Sequence, residues 1–158
     1  MHIIEGGLDN PRVIELLHTH LGRARAETAP GSAHALDLSG LSAPDVTFWS
    51  AWEGSDTGAE GETVVGVGAL KRLSAEHGEV KSMHTAETAR GRGVGSEILR
   101  HIVAVARARG MTRLSLETGS WPYFVPARAL YARHGFVDCP PFGDYEADPN
   151  SVFMTLAL

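Results

Sequence analysis

Hydrophobic positions along the first half of the chain follow the alternation expected of β-strands. Residues 46–53, 63–73 and 77–85 are rich in β-branched and aromatic residues and are predicted strands. Residues 54–61, between the first two, are rich in Gly, Ser, Asp and Thr, which indicates a hairpin turn. The short links predict that the three strands are antiparallel neighbours.

Helical spacing predicts two helices before these strands. Asn10 is a suitable N-cap and Pro11 a suitable first residue for a helix whose apolar stripe ends near Gly22. Ser32 is a suitable cap for a second, short helix over residues 33–38.

Two further helices alternate with strands in the second half. Residues 94–109 carry a strong apolar stripe that ends at Gly110, and residues 126–134 form a shorter helix that ends at Gly135. The remaining apolar segments predict three short strands, at residues 2–4, 114–118 and 152–158.

These elements predict a single α/β (α+β) domain over residues 1–158. Its central sheet is expected to be mixed but mostly antiparallel, with six or seven strands and with helices on both faces. Strand 77–85, helix 94–109 and strand 114–118 together have the length of a βαβ crossover, so these two strands are expected to be parallel. A chain of 158 residues is long enough to bury a core without disulfides.

Charge and composition exclude several classes of function. The net charge of −5 disfavours nonspecific binding to nucleic acid. Neither a signal peptide nor an apolar run of about 20 residues is present, so no membrane association is expected. Cys139 is the only cysteine, which is compatible with a reducing, cytoplasmic location. The eight histidines show no ligand spacing, so no metal site is expected.

A glycine-rich turn opens directly into the helix over residues 94–109. Alternating glycines let the backbone approach a ligand closely, because no Cβ is in the way. The unpaired N–H groups and the positive dipole end of the helix point at the same place, which favours an anion such as phosphate. The predicted anion site comprises Arg90, Gly91, Arg92, Gly93, Val94, Gly95 and Ser96.

Two other phosphate motifs are absent from this turn. No Gly-Lys-Ser/Thr triplet is present, which excludes the NTPase loop. A dinucleotide-binding fingerprint that starts at Gly91 requires glycine at position 96, where this chain has Ser96.

Two short motifs resemble those of the GNAT superfamily of N-acetyltransferases. The first is Arg-Gly-Arg-Gly-Val-Gly at residues 90–95, after the fourth strand. The second lies at residues 127–136, with Leu130-Tyr131 in the predicted helix followed by Gly135-Phe136. The chain also resembles a group of uncharacterised bacterial acetyltransferases across nearly its full length. The segments that carry this similarity are residues 47–53, 114–120 and 148–154.

The resemblance implies acetyl-CoA as the co-substrate. It implies that the backbone amides of residues 91–96 hold the pyrophosphate. The backbone of Met83, His84 and Thr85 would pair with the pantetheine arm like an added strand. One position departs from the family pattern, because Phe124 stands where many members carry an asparagine near the pantetheine.

Two residues are the candidate catalytic groups for acetyl transfer. Tyr131, a phenol that is protonated at pH 7, would protonate the departing thiolate of CoA. Glu117 would act as the general base on the acceptor amine through a water, as the resemblance favours. His84 is the rival base, because neutral imidazole is available at pH 7. The structural alternatives are a half-buried tyrosine in a helix for Tyr131 and a surface acid at a strand end for Glu117.

The expected function is therefore acetyl-CoA-dependent N-acetylation of a primary amine on a small molecule. The alternative is a non-catalytic GNAT-like module that binds acyl-CoA and regulates, against which the presence of both Glu117 and Tyr131 argues. Since family members are often dimers, a homodimer is also expected.

The acceptor is expected to be a small cationic amine. Asp144, Glu146 and Asp148 lie within five residues, and together with Glu117 and the net charge of −5 they favour a cation. A solvated acidic loop is the alternative interpretation of this cluster. An aromatic segment at residues 121–124 belongs either to the core or to the wall of the acceptor pocket.

Overall fold

A seven-stranded mixed sheet forms the centre of the protein. The computed structural model describes residues 1–54 and 61–158, so most of the hairpin turn predicted over residues 54–61 lies outside the described residues. The strand order is β1-β2-β3-β4-β5-β7-β6, and every neighbouring pair is antiparallel except β4 and β5, which are parallel. The strands are β1 (His2–Glu5), β2 (Val46–Glu53), β3 (Thr63–Arg72), β4 (His77–Thr85), β5 (Arg113–Gly119), β6 (Val137–Asp138) and β7 (Ser151–Ala157).

Helices cover both faces of this sheet. They are α1 (Pro11–Ala26), α2 (Leu38–Leu41), α3 (Val94–Ala108) and α4 (Val125–Arg133). The helices α1 and α2 pack with Phe48, Trp52 and Val67 on one face. The helices α3 and α4 pack with β-strand residues such as Leu114 and Leu116 on the other face. The predicted fold class is thus confirmed.

The predicted short helix over residues 33–38 is wrong. Residues 32–37 have no regular secondary structure, and α2 begins at Leu38, where the Asp37 carboxylate accepts a hydrogen bond from the Gly40 amide at 2.8 Å. Ser32 caps no helix, because its hydroxyl donates instead to Asp148 Oδ2 at 2.6 Å. That hydrogen bond ties the segment after α1 to the segment before β7.

Apart from boundary shifts of a single residue, two other features differ from the prediction: the end of α1 and the additional strand β6. Helix α1 continues past Gly22 to Ala26, since a glycine inside a helix costs only about 1 kcal/mol. Arg23 and Arg25 in its last turn favour the continuation through the helix dipole. The edge strand β6 was not predicted, because its two residues are too few for an alternating pattern.

The sheet opens between its two parallel strands. Residues 77–79 of β4 pair with residues 113–115 of β5, and no pairing follows beyond Glu79 and Ser115. The second halves of β4 and β5 therefore diverge and leave a V-shaped opening in the sheet.

A β-bulge lies in the diverging half of β4. Val67 pairs with His84 and Ala69 with Lys81, so that Gly68 alone faces both Ser82 and Met83. Ser82 has a left-handed backbone (φ 53°), which costs a non-glycine residue about 1–2 kcal/mol. On either side of the bulge, Val80 and Met83 pack towards α3. Lys81 contacts Tyr145 and His84 contacts His20 of α1 on the opposite face.

We expect Ile102→Ala in α3 to lower the free energy of unfolding by about 2–5 kcal/mol, because the side chain is fully buried against the sheet. The matched control is Arg100→Ala on the exposed side of the same helix, where the ion pair with Glu97 is solvent-exposed and contributes about 0.5 kcal/mol or less. Urea denaturation of both variants checks the contrast. Equal losses of unfolding free energy in the two variants would show that the Ile102 side of α3 is not buried in solution.

Candidate active site

A cleft of about 400 Å³ occupies the opening between β4 and β5. Its walls are the C-terminal part of α1 with the segment that follows, the N-terminus of α3, and α4. The predicted site residues that line it are Met83, His84, Thr85, Arg90, Gly91, Gly93, Val94, Gly95, Ser96, Glu117 and Tyr131. Arg92 is the one predicted site residue outside the lining, and its guanidinium pairs with Glu53 Oε2 at 3.1 Å.

The glycine turn leaves space for a ligand at the N-terminus of α3. Gly91 and Gly93 have left-handed backbones (φ 76° and 83°), and a Cβ on either would meet no atom within 4 Å. Gly95 serves packing instead, because its Cβ would lie 3.0 Å from Leu130 Cδ2 in α4. The first amides of α3 have no partner within the helix, so the cradle suits the pyrophosphate of a CoA ester.

Two cations stand at this end of the cleft. Arg90 was predicted from the sequence, whereas Arg133, in the last turn of α4, was missed. A basic residue near a helix C-terminus is ordinarily explained by the helix dipole, so its sequence position carries no sign of a ligand. The fold brings it to the cleft wall.

Glu117 lies in the cleft on the diverging half of β5. Burial raises its pKa to about 7, and nearby Glu79 and Asp148 add to the increase. The Ser151 hydroxyl and the Lys81 ammonium act in the opposite direction. A carboxylate with this pKa can both take and release a proton near neutral pH.

Tyr131 lines the same cleft from α4. Its side chain is buried beside Phe136, with the ring centroids 5.9 Å apart. Burial raises the pKa of Tyr131 to about 12, and the charge of Glu117 contributes to the increase. The phenol is therefore a protonated donor throughout the neutral range, within electrostatic reach of the carboxylate.

His84 forms a pair with His20 of α1. The two Nδ1 atoms are 3.3 Å apart and the ring centroids 5.0 Å apart. The pKa of His84 is lowered to about 3, mainly by burial and then by the charges of His20, Arg90 and Arg23. Burial also lowers the pKa of His20 to about 4. Since a good general base has a pKa near the working pH, Glu117 suits the role better than His84.

A buried polar cluster lines the cleft on the side of Glu117. Lys81 Nζ donates to Glu79 Oε2 at 3.0 Å and to the Tyr145 hydroxyl at 2.9 Å. The Tyr145 hydroxyl donates to the same Glu79 oxygen at 2.6 Å. The His34 ring meets the edge of Tyr145, with centroids 5.1 Å apart. None of these residues was predicted, because they come from three separate parts of the chain.

The three acids of the segment before β7 occupy different environments. Asp144 and Glu146 are exposed and do not line the cleft. Asp148 accepts hydrogen bonds from the Ser32 hydroxyl and the Asn150 amide, which hold its pKa below the usual range. These acids therefore do not form one anionic surface inside the cleft.

The aromatic segment is divided between the cleft and the surface. Tyr123 and Phe124 line the cleft, whereas Trp121 does not, and its Nε1 donates to Asn150 Oδ1 at 2.9 Å. Arg23 of α1 lies over the Tyr123 ring, 4.9 Å from its centroid, and so connects two walls of the cleft.

Two other kinds of feature are absent from the residues that the structure describes. No helix in residues 1–54 and 61–158 is long and apolar enough to cross a membrane. In the same ranges, no three histidine, cysteine or acidic side chains come together in a way that could hold a metal ion. The absence of a metal site stays a prediction.

Comparison with known proteins gives consistent matches. The model of the acetyltransferase (GNAT) family matches residues 14–136. The uncharacterized N-acetyltransferase YsnE of Bacillus subtilis is 48% identical over 158 residues, which is the whole of both chains. The uncharacterized N-acetyltransferase YedL of Escherichia coli is 48% identical over 151 residues, covering 96% of this chain and 91% of that protein.

Solved structures show the same fold. One from Klebsiella pneumoniae, solved as a candidate acyl-CoA N-acyltransferase, has a TM-score of 0.79 at 29% identity and covers 99% of this chain and 97% of its own. An acetyltransferase from Elizabethkingia anophelis with acetyl-CoA bound has a TM-score of 0.68 at 16% identity, covering 99% and 97%.

Proposed function

Because the chain belongs to the acetyltransferase (GNAT) family, we propose that it transfers the acetyl group of acetyl-CoA to the primary amine of a small acceptor, with Glu117 as general base and Tyr131 as general acid. The observation that carries this proposal is that both residues line one cleft with the glycine turn. Their pKa values, about 7 for Glu117 and about 12 for Tyr131, suit a base and an acid respectively.

The glycine turn performs the binding step. The amides of residues 91–96 hold the pyrophosphate, with Arg90 and Arg133 adding positive charge. The diverging half of β4 offers the backbone of Met83, His84 and Thr85 to the pantetheine arm. Holding both substrates in one cleft supplies the proximity that a reaction between two molecules otherwise lacks.

Glu117 and Tyr131 then move the protons. The acceptor arrives as an ammonium, and Glu117 takes its proton, directly or through a water. The amine nitrogen bonds to the carbonyl carbon of the thioester while the carbon–sulfur bond breaks. Tyr131 gives its proton to the departing sulfur, and the second proton of the amine nitrogen then restores the phenol. Acetyl-CoA supplies the activated acyl group, and the products are an amide, free CoA and one proton, which Glu117 releases to solvent.

The alternative is an acyl-CoA-binding module without turnover. It requires the same glycine turn but neither a base nor an acid in the cleft. A buried carboxylate that remains partly charged at pH 7 destabilises a fold, which is difficult to explain in a module that only binds.

An acceptor screen tests the proposal. The chain is incubated with acetyl-CoA and a panel of primary amines, and release of the CoA thiol is followed together with mass spectrometry of the product. Acetylation of at least one amine, lost in Glu117→Gln, is the expected result. Tight acetyl-CoA binding with no acetylated product from any amine would favour the regulatory alternative.

We expect Gly93→Asp to weaken acetyl-CoA binding by about tenfold or more, since the new carboxylate opposes the ligand's charge at the end of α3. Gly110→Asp is the matched control. Gly110 has nearly the same backbone (φ 80°) and open surroundings, but it lies beyond the other end of α3. Calorimetric titration distinguishes the two. Equal affinities of the two variants for acetyl-CoA would show that the glycine turn does not bind this ligand.

The homodimer and the cytoplasmic location, which were expected from the sequence, stay predictions.

A further inference from the structure

A buried ammonium lies in the wall of the cleft. The Lys81 side chain is only 7% exposed, yet it lines the cleft beside Glu117. Two of its three N–H groups are accounted for by Glu79 and Tyr145. Among the described residues, no acceptor takes the third, so it is available to a ligand in the cleft.

The stability of the fold does not explain this cluster. Replacing a buried ion pair by apolar residues of similar volume is often neutral or stabilising. Glu79 is 4% exposed, so the pair with Lys81 is fully buried and carries a large desolvation cost. A strand that served only packing would use apolar residues here, as β4 does at Val80.

The orientation of the cluster also indicates a ligand. Tyr145 donates its proton to Glu79 and accepts from Lys81, so the phenol fixes the ammonium against one side of the cleft. His34 contacts the Tyr145 ring and also lines the cleft, which provides a second nitrogen for an anionic group.

We propose that Lys81 binds a carboxylate of the acceptor, so that the acceptor is a small amino acid that carries its carboxylate beside its amine. The carboxylate accepts the third N–H of Lys81, and the amine then lies towards Glu117. This inference rests on the proposed function. It replaces the cationic amine expected from the sequence by a zwitterion, because Asp144 and Glu146 lie outside the cleft.

Matched acceptors test the inference. L-Leucine, L-phenylalanine and L-methionine are each compared with their carboxamide and their decarboxylated amine, using the full chain and acetyl-CoA. Rates are expressed per concentration of neutral amine, because the carboxylate and the amide change the pKa of the amine. We expect kcat/KM for the amino acids to exceed that of the decarboxylated amines by about tenfold to a hundredfold.

Two variants assign any preference to Lys81. Lys81→Met should bring the ratio of the two kcat/KM values close to one, and this ratio does not change when only the folded fraction falls. Since that variant leaves Glu79 buried without its cation, the double variant E79Q/K81M removes both charges and should give the same result. Lys71→Met, at the only other lysine of the chain, lies outside the cleft lining and should keep the wild-type ratio.

Several outcomes would overturn the inference. Decarboxylated amines that react as well as the amino acids would do so and would support the cationic acceptor. If the amino acids keep their higher kcat/KM in both Lys81 variants, a group other than Lys81 binds the carboxylate. If no amine of any series, and none in the wider screen, is acetylated, the proposed function itself fails together with the inference.

Discussion

Tyr131→Phe is expected to lower turnover by about 10²–10⁴-fold, the usual contribution of a positioned general acid. The substitution removes one oxygen from a buried ring that packs beside Phe136, so the fold should be unchanged. Without the phenol, the thiolate leaves with no proton donor from α4. Steady-state kinetics with the best acceptor from the screen give the effect.

Acetyl-CoA affinity separates this role from a structural one. We expect the dissociation constant measured by calorimetry to change little, because the binding cradle lies at the glycine turn. Substrates with a better leaving thiol, such as acetyl esters of aromatic thiols, should be less sensitive to the substitution. Wild-type turnover in Tyr131→Phe would return the residue to a purely structural role.

Glu117→Gln is expected to cause a loss of similar size, about 10²–10⁴-fold, because the amide cannot accept the acceptor's proton. The pH profile gives a sharper test. With a pKa of about 7, the wild-type base is protonated in acid, so kcat/KM should fall as the pH is lowered through about 7. The residual activity of the variant should lack this limb.

The pH profile also distinguishes Glu117 from His84. If His84 were the base, kcat/KM of the wild type would fall only near the His84 pKa of about 3. Glu97→Gln, at an exposed glutamate of α3, is the matched control and should keep both the rate and the limb. Because the glutamine removes the cost of burying a charge, Glu117→Gln should unfold at the same temperature as the wild type or a higher one above pH 7.

The sequence was sufficient for most of the fold because local pattern and tertiary environment agree there. The bounds of β2 and β4 are identical to those predicted, and Gly110 lies just beyond the end of α3 as expected. The prediction failed over residues 33–38, where the Ser32 hydroxyl is used by Asp148, more than a hundred residues away. A helix cap and a long-range hydrogen bond have the same residue preference, so sequence alone does not separate them.

The candidate site was predictable only where its residues form a short motif. The glycine turn and the residues at its helix are contiguous, and Glu117 and Tyr131 stand beside recognisable segments. Lys81, Tyr145 and His34 carry no motif, and they meet only because the strands and the preceding loops bring them together. Arg92 likewise pairs with Glu53, a partner from β2 that its local sequence does not indicate.

The bulge at Ser82 determines which face of the sheet the last residues of β4 occupy. In a regular strand, residues 81 and 84 would face opposite sides of the sheet, yet here Lys81 and His84 lie on the same side. If Ser82 took a regular place in the alternation, Met83 would turn towards α1 and His84 towards the core under α3. Deleting Ser82 together with the bulge would instead leave both side chains on their present faces. The extra residue therefore determines which wall of the site each later side chain of β4 joins, and loss of the bulge in a chain of unchanged length would disrupt both walls together.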